Sequence, residues 1–288
     1  MNRRSDNETR TRKGAYTKTA LVVEAIRDKI LGHSYVPGEH LTEQMLIEDS
    51  ENASRTSVRL ALPELQRQGL LTIEANKGAR VANVTKEDLN EIHDARLGLE
   101  LHVVRQLAEC PNVRLQSARQ INERLANLMR EAVGLSGEKL QTMGRESANL
   151  DLDFHVELSR LAGFANTYGP WLELQRNRFR VLARPNLERL DGSTVSEHNR
   201  ILDAITEARM ELAQIRAEIG KGAEALAEFQ KASLEDGAEE RIVAAAAQFR
   251  AAKELADAVE SRVLDRLKSA IRIHLTNSML RWEIRQTA

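Results

Sequence analysis

The chain has 288 residues, of which 42% are hydrophobic, and it carries 42 Lys and Arg residues against 43 Asp and Glu residues. This length suits two domains of ordinary size, and the apolar fraction is sufficient for a buried core. The composition excludes a disordered chain, a collagen-like chain and a disulfide scaffold. The balance of charges also disfavours a strongly basic protein that coats nucleic acid.

The cysteine content and the N-terminus point to a cytoplasmic protein without a membrane anchor. The single cysteine, Cys110, excludes an internal disulfide and a zinc site made only of cysteines. No apolar run approaches the roughly 18 residues that a membrane-spanning helix needs. The first residues, MNRRSDNETRTRK, lack the apolar region of a secretory signal.

Residues 1–13 form a separate, polar segment with five basic side chains against two acidic ones. This composition predicts a basic, disordered tail. Basic arms of this kind often contact phosphate groups, but a solvated tail without a partner explains the same residues, and both interpretations stay open.

The next segment has the pattern of three short helices. Apolar residues recur at spacings of three and four after Thr17 and predict an amphipathic first helix. Pro37-Gly38 favours a turn, and a second short helix follows Thr42. A third begins near Ser54, a typical N-cap residue, and buries Val58 and Leu62.

Two short strands follow the third helix. Leu71, Ile73 and Val81 have the pattern of strands, and Asn76-Lys77-Gly78 forms the turn between them. Three helices followed by a two-stranded wing describe a winged helix-turn-helix domain, which we place at residues 14–84.

The third helix carries the residues expected to contact DNA. In such domains the first turn of this helix meets base edges in the major groove. Arg55 and Arg59 lie four residues apart on one face, where each guanidinium can bind guanine or phosphate. Thr56 can reach the same surface, and Lys77 and Gly78 at the wing tip can approach the minor groove or backbone. By itself, SRTSVR also fits a capped, soluble helix start.

Several motifs in this segment resemble the N-terminal domain of the GntR family of bacterial transcriptional regulators. They are PGE-x-LTE-x-x-L, SRT-x-VR-x-AL-x-x-L and, in the wing, N-x-GA-x-V. The resemblance covers about residues 17–84 and implies that Arg55, Thr56 and Arg59 contact the operator, with Gly78 in the wing.

Pro63 departs from the pattern of a continuous recognition helix. An interior proline removes a backbone hydrogen bond and clashes with the preceding turn, which costs about 3 kcal/mol. We therefore expect the third helix either to kink at Pro63 or to end early. We also expect Pro63 to weaken the domain or to tilt the helix.

The remainder of the chain, residues 86–288, is predicted to be an all-helical domain. Thr85 to Asp88 resemble a capping box, and the helix that follows runs to about Glu109. Further helices fit residues 113–134, 138–162, 167–184 and 194–206. The fold class is thus mainly α.

Three histidines lie on apolar stripes of these helices and point toward a helical core. They are His155, His198 and His274, and Asp151 precedes His155 by one helical turn. An aspartate and a histidine at this spacing can bind one ion. A lone histidine on an apolar face, however, is usually a hydrogen-bonded core residue.

The motifs NLDLDFHVELSRLAG, SEHNRILDAI and RLKSAIRIHL resemble the FCD-type effector domain of one GntR branch. This resemblance implies that Asp151, His155, His198 and His274 bind a divalent metal. Three imidazoles and a carboxylate suit zinc or nickel, and manganese less well. Open coordination positions would accept water or a small carboxylate effector. The resemblance also places Arg96 at this pocket, although a salt bridge explains Arg96 equally well.

The spacing between His198 and His274 exceeds the family pattern. The excess, about residues 207–262, is rich in Ala, Glu, Lys and Arg and shows two heptad-like apolar seams. We interpret it as an inserted antiparallel helical hairpin, which either packs only on the protein itself or serves as an arm for dimerisation or a partner.

Together these features predict a metabolite-responsive regulator, with repressor as the family-level expectation. A homodimer would bind a near-palindromic operator, and a small carboxylate would alter that binding. A metal-dependent, hydrolase-like enzyme is one alternative, but no additional general base or nucleophile was found beside the ligands. The other is a DNA-binding architectural protein whose histidines are core residues.

Overall fold

The computed structural model describes residues 18–32, 34–51, 53–75, 77–83, 85–185, 192–231, 238–280 and 282–284. The predicted basic tail, residues 1–13, lies outside these described residues. Helices dominate, with small antiparallel sheets beside them, which confirms the predicted mainly α fold.

The chain divides into two compact units. The first, which we call the winged head, comprises Met1–Asp94, Gly169–Asn186 and Trp282–Ala288. The second, the helical unit, comprises Ala95–Tyr168 and Leu187–Arg281. The sequence predicts a head at residues 14–84 and does not include the two later segments. Periodicity along the chain cannot show that a later helix packs with an earlier domain.

The winged head has the predicted order of helices and strands. It consists of α1 (residues 18–31), β1 (His40–Leu41), α2 (Glu43–Glu48), α3 (Arg55–Arg67), β2 (Leu71–Glu74) and β3 (Gly78–Val81). The strands form an antiparallel sheet of order β1-β3-β2. The two-residue strand β1 is absent from the prediction because so short a strand shows no alternation of apolar and polar residues.

Side-chain caps and a compact core fix the helices of the head. The hydroxyl of Ser54 accepts a hydrogen bond from the backbone N–H of Ser57 at 3.1 Å, and Thr42 caps α2 through the N–H of Met45 at 3.2 Å. These bonds satisfy amide groups that the first turn leaves free. The largest fully buried apolar side chains of the head are Ile26, Ile30, Leu41, Leu46, Leu65, Leu70, Leu71 and Leu89.

Helix α3 continues through Pro63. It spans 13 residues, so the predicted early end is wrong. Pro63 is exposed, and the hydrogen bond that it cannot donate would have gone to the carbonyl of Arg59 on the solvent side. The helix tolerates the proline there because water can solvate that carbonyl, while Val58, Leu62 and Leu65 anchor the opposite face.

Replacing this proline should stabilise the head. Pro63→Ala restores the missing donor and removes the ring from the turn before it, and we expect a gain of up to about 3 kcal/mol in the free energy of unfolding. The control is Gln66→Ala, an exposed position on the same helix. An unchanged melting temperature together with unchanged DNA affinity for Pro63→Ala would contradict the prediction.

A polar cluster links the end of α2 to α1. The carboxylate of Asp49 accepts hydrogen bonds from the ammonium of Lys29 and from the hydroxyl of Tyr35. The bond from Lys29 and then that from Tyr35 lower the pKa of Asp49. Burial, followed by the adjacent Asp49, raises the pKa of Tyr35.

This cluster predicts a defined pH dependence. Because the pKa of Asp49 is lower in the folded state, its stabilising effect is complete above the unfolded pKa of about 4 and disappears as the pH falls through the folded value. Denaturant unfolding should show Asp49→Asn less stable than wild type at pH 7, with a smaller difference at pH 3. Asp28→Asn, at an exposed position of α1, is the control. A difference independent of pH would refute the prediction.

The rest of the chain is almost entirely helical. Its elements are α4 (Lys86–Glu109), α5 (Gln116–Ala132), α6 (Gly137–Leu161), α7 (Tyr168–Leu182), β4 (Ala183–Pro185), α8 (Ser193–Lys231), α9 (Ala238–Leu280) and β5 (Trp282–Ile284). The capping box before α4 is present, since Thr85 and Asp88 each accept the other's backbone N–H. The short pair β4–β5 is antiparallel and does not appear in the sequence prediction.

The predicted hairpin is an extension of two helices. Helix α8 has 39 residues and α9 has 43, so both arms continue helices that carry predicted metal ligands. The seam between them buries Leu212, Ile215, Ala256 and Val259, as the heptad pattern predicts. The segment between the two arms, residues 232–237, lies outside the described residues. A role of the hairpin in assembly stays a prediction.

Within the part of the chain that the structure describes, every helix is too short or too polar to cross a lipid bilayer.

Candidate functional site

The helical unit brings the four predicted metal ligands together. Asp151 and His155 come from α6, His198 from α8 and His274 from α9, and one donor atom of each lies within 4.8 Å of the others. The Nε2 atoms of His155 and His274 are 2.8 Å apart. Asp151 Oδ1 lies 3.3 Å from His198 Nε2 and 3.5 Å from His274 Nε2. Four donors from three helices therefore converge on one point.

Each histidine is oriented by a second polar residue at its other ring nitrogen. Glu100 Oε2 lies 2.7 Å from Nδ1 of His155, Asn122 Oδ1 lies 3.0 Å from Nδ1 of His198, and Glu197 Oε2 lies 3.0 Å from Nδ1 of His274. This arrangement directs all three Nε2 atoms to the centre of the cluster. An acceptor at Nδ1 favours the tautomer whose Nε2 lone pair is free to bind a cation.

Neither the motifs nor the helical periodicity of the sequence indicated these three orienting residues. Glu100, Asn122 and Glu197 are all buried, on α4, α5 and α8. A single sequence offers one weak signal for them, namely a polar residue on an otherwise apolar helix face. Such a residue does not reveal its partner, because the partner lies on another helix far along the chain.

Two atoms of the cluster lack a satisfactory partner. Asp151 Oδ1 and His198 Nε2 are buried without a hydrogen bond of acceptable geometry, although they lie 3.3 Å apart. Buried polar groups are almost always paired, because a bare acceptor in a protein interior is costly. A cation at the centre would satisfy both atoms, so the donor set fits a divalent metal.

The protonation states at neutral pH also suit a cation. Burial lowers the pKa of His198 to about 3 and lowers the pKa of His274, because an imidazolium loses its hydration there. Burial acts to raise the pKa of Asp151, but the close approach of the His198 and His274 rings outweighs it, and the pKa falls. Neutral imidazoles and an ionised carboxylate are the forms that bind metals.

Arg96 forms the salt bridge that the sequence left open. Its guanidinium lies 2.8 Å from the carboxylate of Glu100, one turn further along α4. Burial acts to raise the pKa of Glu100, but the charge of Arg96 overrides this effect and the pKa is lowered. Arg96 thus stabilises the anion that orients His155, whichever other role it has.

The DNA-contact residues predicted for α3 share one exposed surface of the head. Arg55 and Arg59 have side chains 64% and 63% exposed, and Thr56 is exposed beside them. Glu43 of α2, which the sequence analysis did not single out, accepts two hydrogen bonds from Arg59 at 2.7 and 3.2 Å and lies 3.7 Å from Arg55. This carboxylate holds both guanidinium groups on the surface that the sequence predicts to contact DNA.

The wing places Lys77 at an exposed position and gives Gly78 a structural role. Gly78 has a φ of +103°, and a Cβ atom there would lie 2.4 Å from the carbonyl oxygen of Leu41 in β1. The glycine therefore allows β1 and β3 to approach each other. Its predicted contact with DNA stays a prediction.

A side chain at this glycine should disrupt the wing. We expect Gly78→Ala to lower the free energy of unfolding by about 1–3 kcal/mol through backbone strain, with a further loss from the contact with Leu41. Gly38→Ala is the matched control, since Gly38 has a φ of +78° but no atom closer than 3.9 Å to the added Cβ. Equal losses in thermal unfolding would show that the contact with β1 is unimportant.

The family of the head follows from comparison with known proteins. The family model described as "Bacterial regulatory proteins, gntR family" matches residues 18–81, the range that contains α1 to β3. Residues 18–81 therefore form a DNA-binding domain of the GntR family. The predicted resemblance of this segment to that family is confirmed.

Two curated relatives, both named as transcriptional regulators, match parts of the chain. The chain is 31% identical over 141 residues to the Uxu operon transcriptional regulator of Escherichia coli (strain K12), an alignment that covers 46% of this chain. It is 31% identical over 75 residues, or 26% of this chain, to the HTH-type transcriptional regulator YdhC of Bacillus subtilis (strain 168). The chain spans about half the length of the first relative, 54%, and 33% of the second.

One solved structure shares the fold, and a second matches less closely. A GntR transcriptional regulator from Rhodococcus sp. RHA1 matches with a TM-score of 0.50 and 22% identity, over 79% of this chain and 99% of that one. E. coli McbR/YncC matches with a TM-score of 0.46 and 21% identity, over 66% of this chain and 87% of that one.

Proposed function

We propose that this protein is a metabolite-responsive transcriptional regulator. In this proposal the winged head binds DNA, and the helical unit, of the FCD type, binds a divalent metal and a small carboxylate. The observation that carries the proposal is the convergence of four donors whose three imidazoles are each oriented from behind. Buried core histidines would also need partners at Nδ1, but packing alone does not require four donor atoms from three helices to meet at one point.

Asp151, His155, His198 and His274 are the residues that would hold the metal. Zinc or nickel suits three imidazoles and a carboxylate better than manganese does. When bound, the ion supplies a Lewis acid to which a carboxylate oxygen can coordinate. Among the four ligands, Asp151 would offset one of the two charges of a divalent ion. The carboxylates of Glu100 and Glu197 behind the imidazoles reduce the remaining positive charge and Arg96 adds to it, so an anionic effector would depend on Arg96 as well.

Arg96 is the residue proposed to contact the effector. Its guanidinium already lies beside the cluster through Glu100, and a planar fork of N–H donors matches a carboxylate group. The salt bridge to Glu100 keeps this charge in place before the effector arrives.

DNA binding is proposed to proceed as in other winged helix-turn-helix proteins. Arg55, Thr56 and Arg59 would enter the major groove, and Lys77 would approach the adjacent backbone or minor groove. A homodimer would place two heads on a near-palindromic operator. A repressor would release that operator when the effector favours another arrangement of the heads, which requires unequal effector affinities for the two states.

The relatives favour regulation over catalysis. Both curated relatives are named as transcriptional regulators, and a DNA-binding head is unnecessary for hydrolysis. These two observations therefore favour a regulator over a metal-dependent hydrolase. A DNA-binding protein without metal is the remaining alternative.

Elemental analysis of dialysed protein distinguishes these possibilities. Wild type should retain about one zinc, nickel or manganese ion per chain, and His198→Ala should lose it. His102→Ala, which changes an exposed histidine of the same unit, should keep it. Wild type that stays free of metal, even after metal is added back, would reduce the four residues to core packing.

A further inference from the structure

The recognition helix α3 ends in a tight glycine turn. Gly69 has a φ of +72°, its N–H bonds to the carbonyl of Gln66 at 2.9 Å, and the N–H of Leu70 bonds to the carbonyl of Leu65 at 3.1 Å. This pattern satisfies two of the last carbonyls of the helix. The carbonyl of Gln68, the C-cap residue, accepts neither of these two hydrogen bonds.

That carbonyl receives a hydrogen bond from a helix more than one hundred residues away. Nδ2 of Asn177, on α7, donates to the carbonyl oxygen of Gln68 at 3.2 Å, and Asn177 is only 9% exposed. Both residues belong to the winged head. The end of α3 is therefore capped by a side chain from outside the segment that matches the family.

Further contacts of α7 surround the same point. A Cβ atom at Gly69 would lie 2.6 Å from Leu174 Cδ1 and 3.2 Å from Arg178 Cγ, so these side chains cover the turn closely. Arg178 also lies 3.8 Å from Asp88 of α4. One turn further along α7, Val181 is 2% exposed and belongs to the apolar core of the head.

We propose that Asn177 is a positioning residue for the recognition helix. Through the carbonyl of Gln68 it fixes the rotation and axial position of α3, and thereby the placement of Arg55, Thr56 and Arg59 on DNA. The helix of 13 residues is about 20 Å long, so a small rotation at its C-terminus displaces the side chains at its N-terminus. This inference rests on the proposed DNA-binding function.

An asparagine at this position is informative because it is a costly choice for packing alone. A buried amide loses hydration and recovers the cost only through hydrogen bonds, whereas a leucine of similar size would bury apolar surface without that loss. A hydrogen bond, unlike an apolar contact, also depends on direction. The amide thus specifies the orientation of α3, whereas an apolar side chain would contribute only buried surface.

The test uses the full chain and two duplexes. The first is a duplex selected by wild type from a random library, and the second is the same duplex with its sequence scrambled. Asn177→Leu keeps the size but removes the donor, and Asn177→Asp places an acceptor against the carbonyl. Both should reduce the ratio of selected to scrambled affinity by roughly tenfold, while binding to the scrambled duplex changes little.

The ratio separates positioning from loss of folded protein. A partly unfolded preparation binds both duplexes less, so its active fraction cancels in the ratio. Asn90→Asp, at an exposed position on α4 in the head, introduces the same charge as Asn177→Asp and should leave the ratio unchanged.

Two results would overturn the inference and are distinguishable from each other. If wild type selects a duplex and Asn177→Leu retains the full ratio, Asn177 serves packing only and the proposed function survives. If wild type selects no duplex at all, the proposed function fails and the inference fails with it.

Discussion

Adding zinc to chelator-treated wild type is expected to raise its melting temperature, and His274→Ala is expected to abolish that rise. A ligand that binds only the folded state stabilises it by about 2.7 kcal/mol at a free concentration of one hundred times Kd. For a chain of this size, this corresponds to a shift of roughly 5–10 °C. The effect is large because the ion would satisfy buried atoms that otherwise lack partners, among them Asp151 Oδ1.

The control and a graded variant sharpen this experiment. His102→Ala should keep the full shift, since His102 is exposed and outside the cluster. Asn122→Ala removes the partner of His198 Nδ1, together with the hydrogen bonds that Asn122 donates to Val195 and Asn199. We expect zinc affinity to fall by roughly 10- to 100-fold. A shift in melting temperature that persists in His274→Ala would mean that zinc binds elsewhere.

Truncating Arg59 is expected to produce the largest loss of DNA affinity among single changes on the recognition surface. Loss of a guanidinium contact to a base costs about 1–3 kcal/mol, or roughly 5- to 150-fold in Kd for the selected duplex. If Arg59 contacts a phosphate instead, Arg59→Ala should weaken all duplexes alike and reduce the salt dependence by about one ion. Fluorescence anisotropy at several salt concentrations distinguishes these cases.

Glu43 provides the matched comparison for Arg59. It holds Arg59 through two hydrogen bonds, and its negative charge lies on the surface that would face the DNA. Glu43→Gln removes this charge and should tighten binding to selected and scrambled duplexes together. Unchanged affinity in both Arg59→Ala and Glu43→Gln would place the DNA elsewhere on the head.

Local patterns predicted the elements that depend on neighbours in the sequence. The caps at Thr42 and Ser54, the capping box at Thr85 and the bounds of α4 to α7 all follow from residues within one or two helical turns. Pro63 shows the limit of such reasoning. The lost hydrogen bond and the steric clash of Pro63 follow from the local sequence. Whether α3 tolerates them depends on whether the face that carries Pro63 is exposed to water, and burial is a property of the folded chain.

The candidate metal site was likewise predictable only in part. Periodicity places His155, His198 and His274 on the apolar faces of their helices, and the resemblance to the FCD type groups them with Asp151. Neither reveals Glu100, Asn122 and Glu197, which meet the histidines through the packing of separate helices. The same holds for Asn177, whose partner Gln68 lies on another helix of the head.

The sequence by itself determined the winged head, the helical remainder and the four candidate ligands, because each depends on short-range periodicity or on motifs read in order. Only the tertiary structure decided which polar groups orient those ligands, how Glu43 holds the recognition arginines and how α7 completes the head. The physical reason is that hydrogen bonds between distant segments depend on burial and direction, which exist only after the helices have packed.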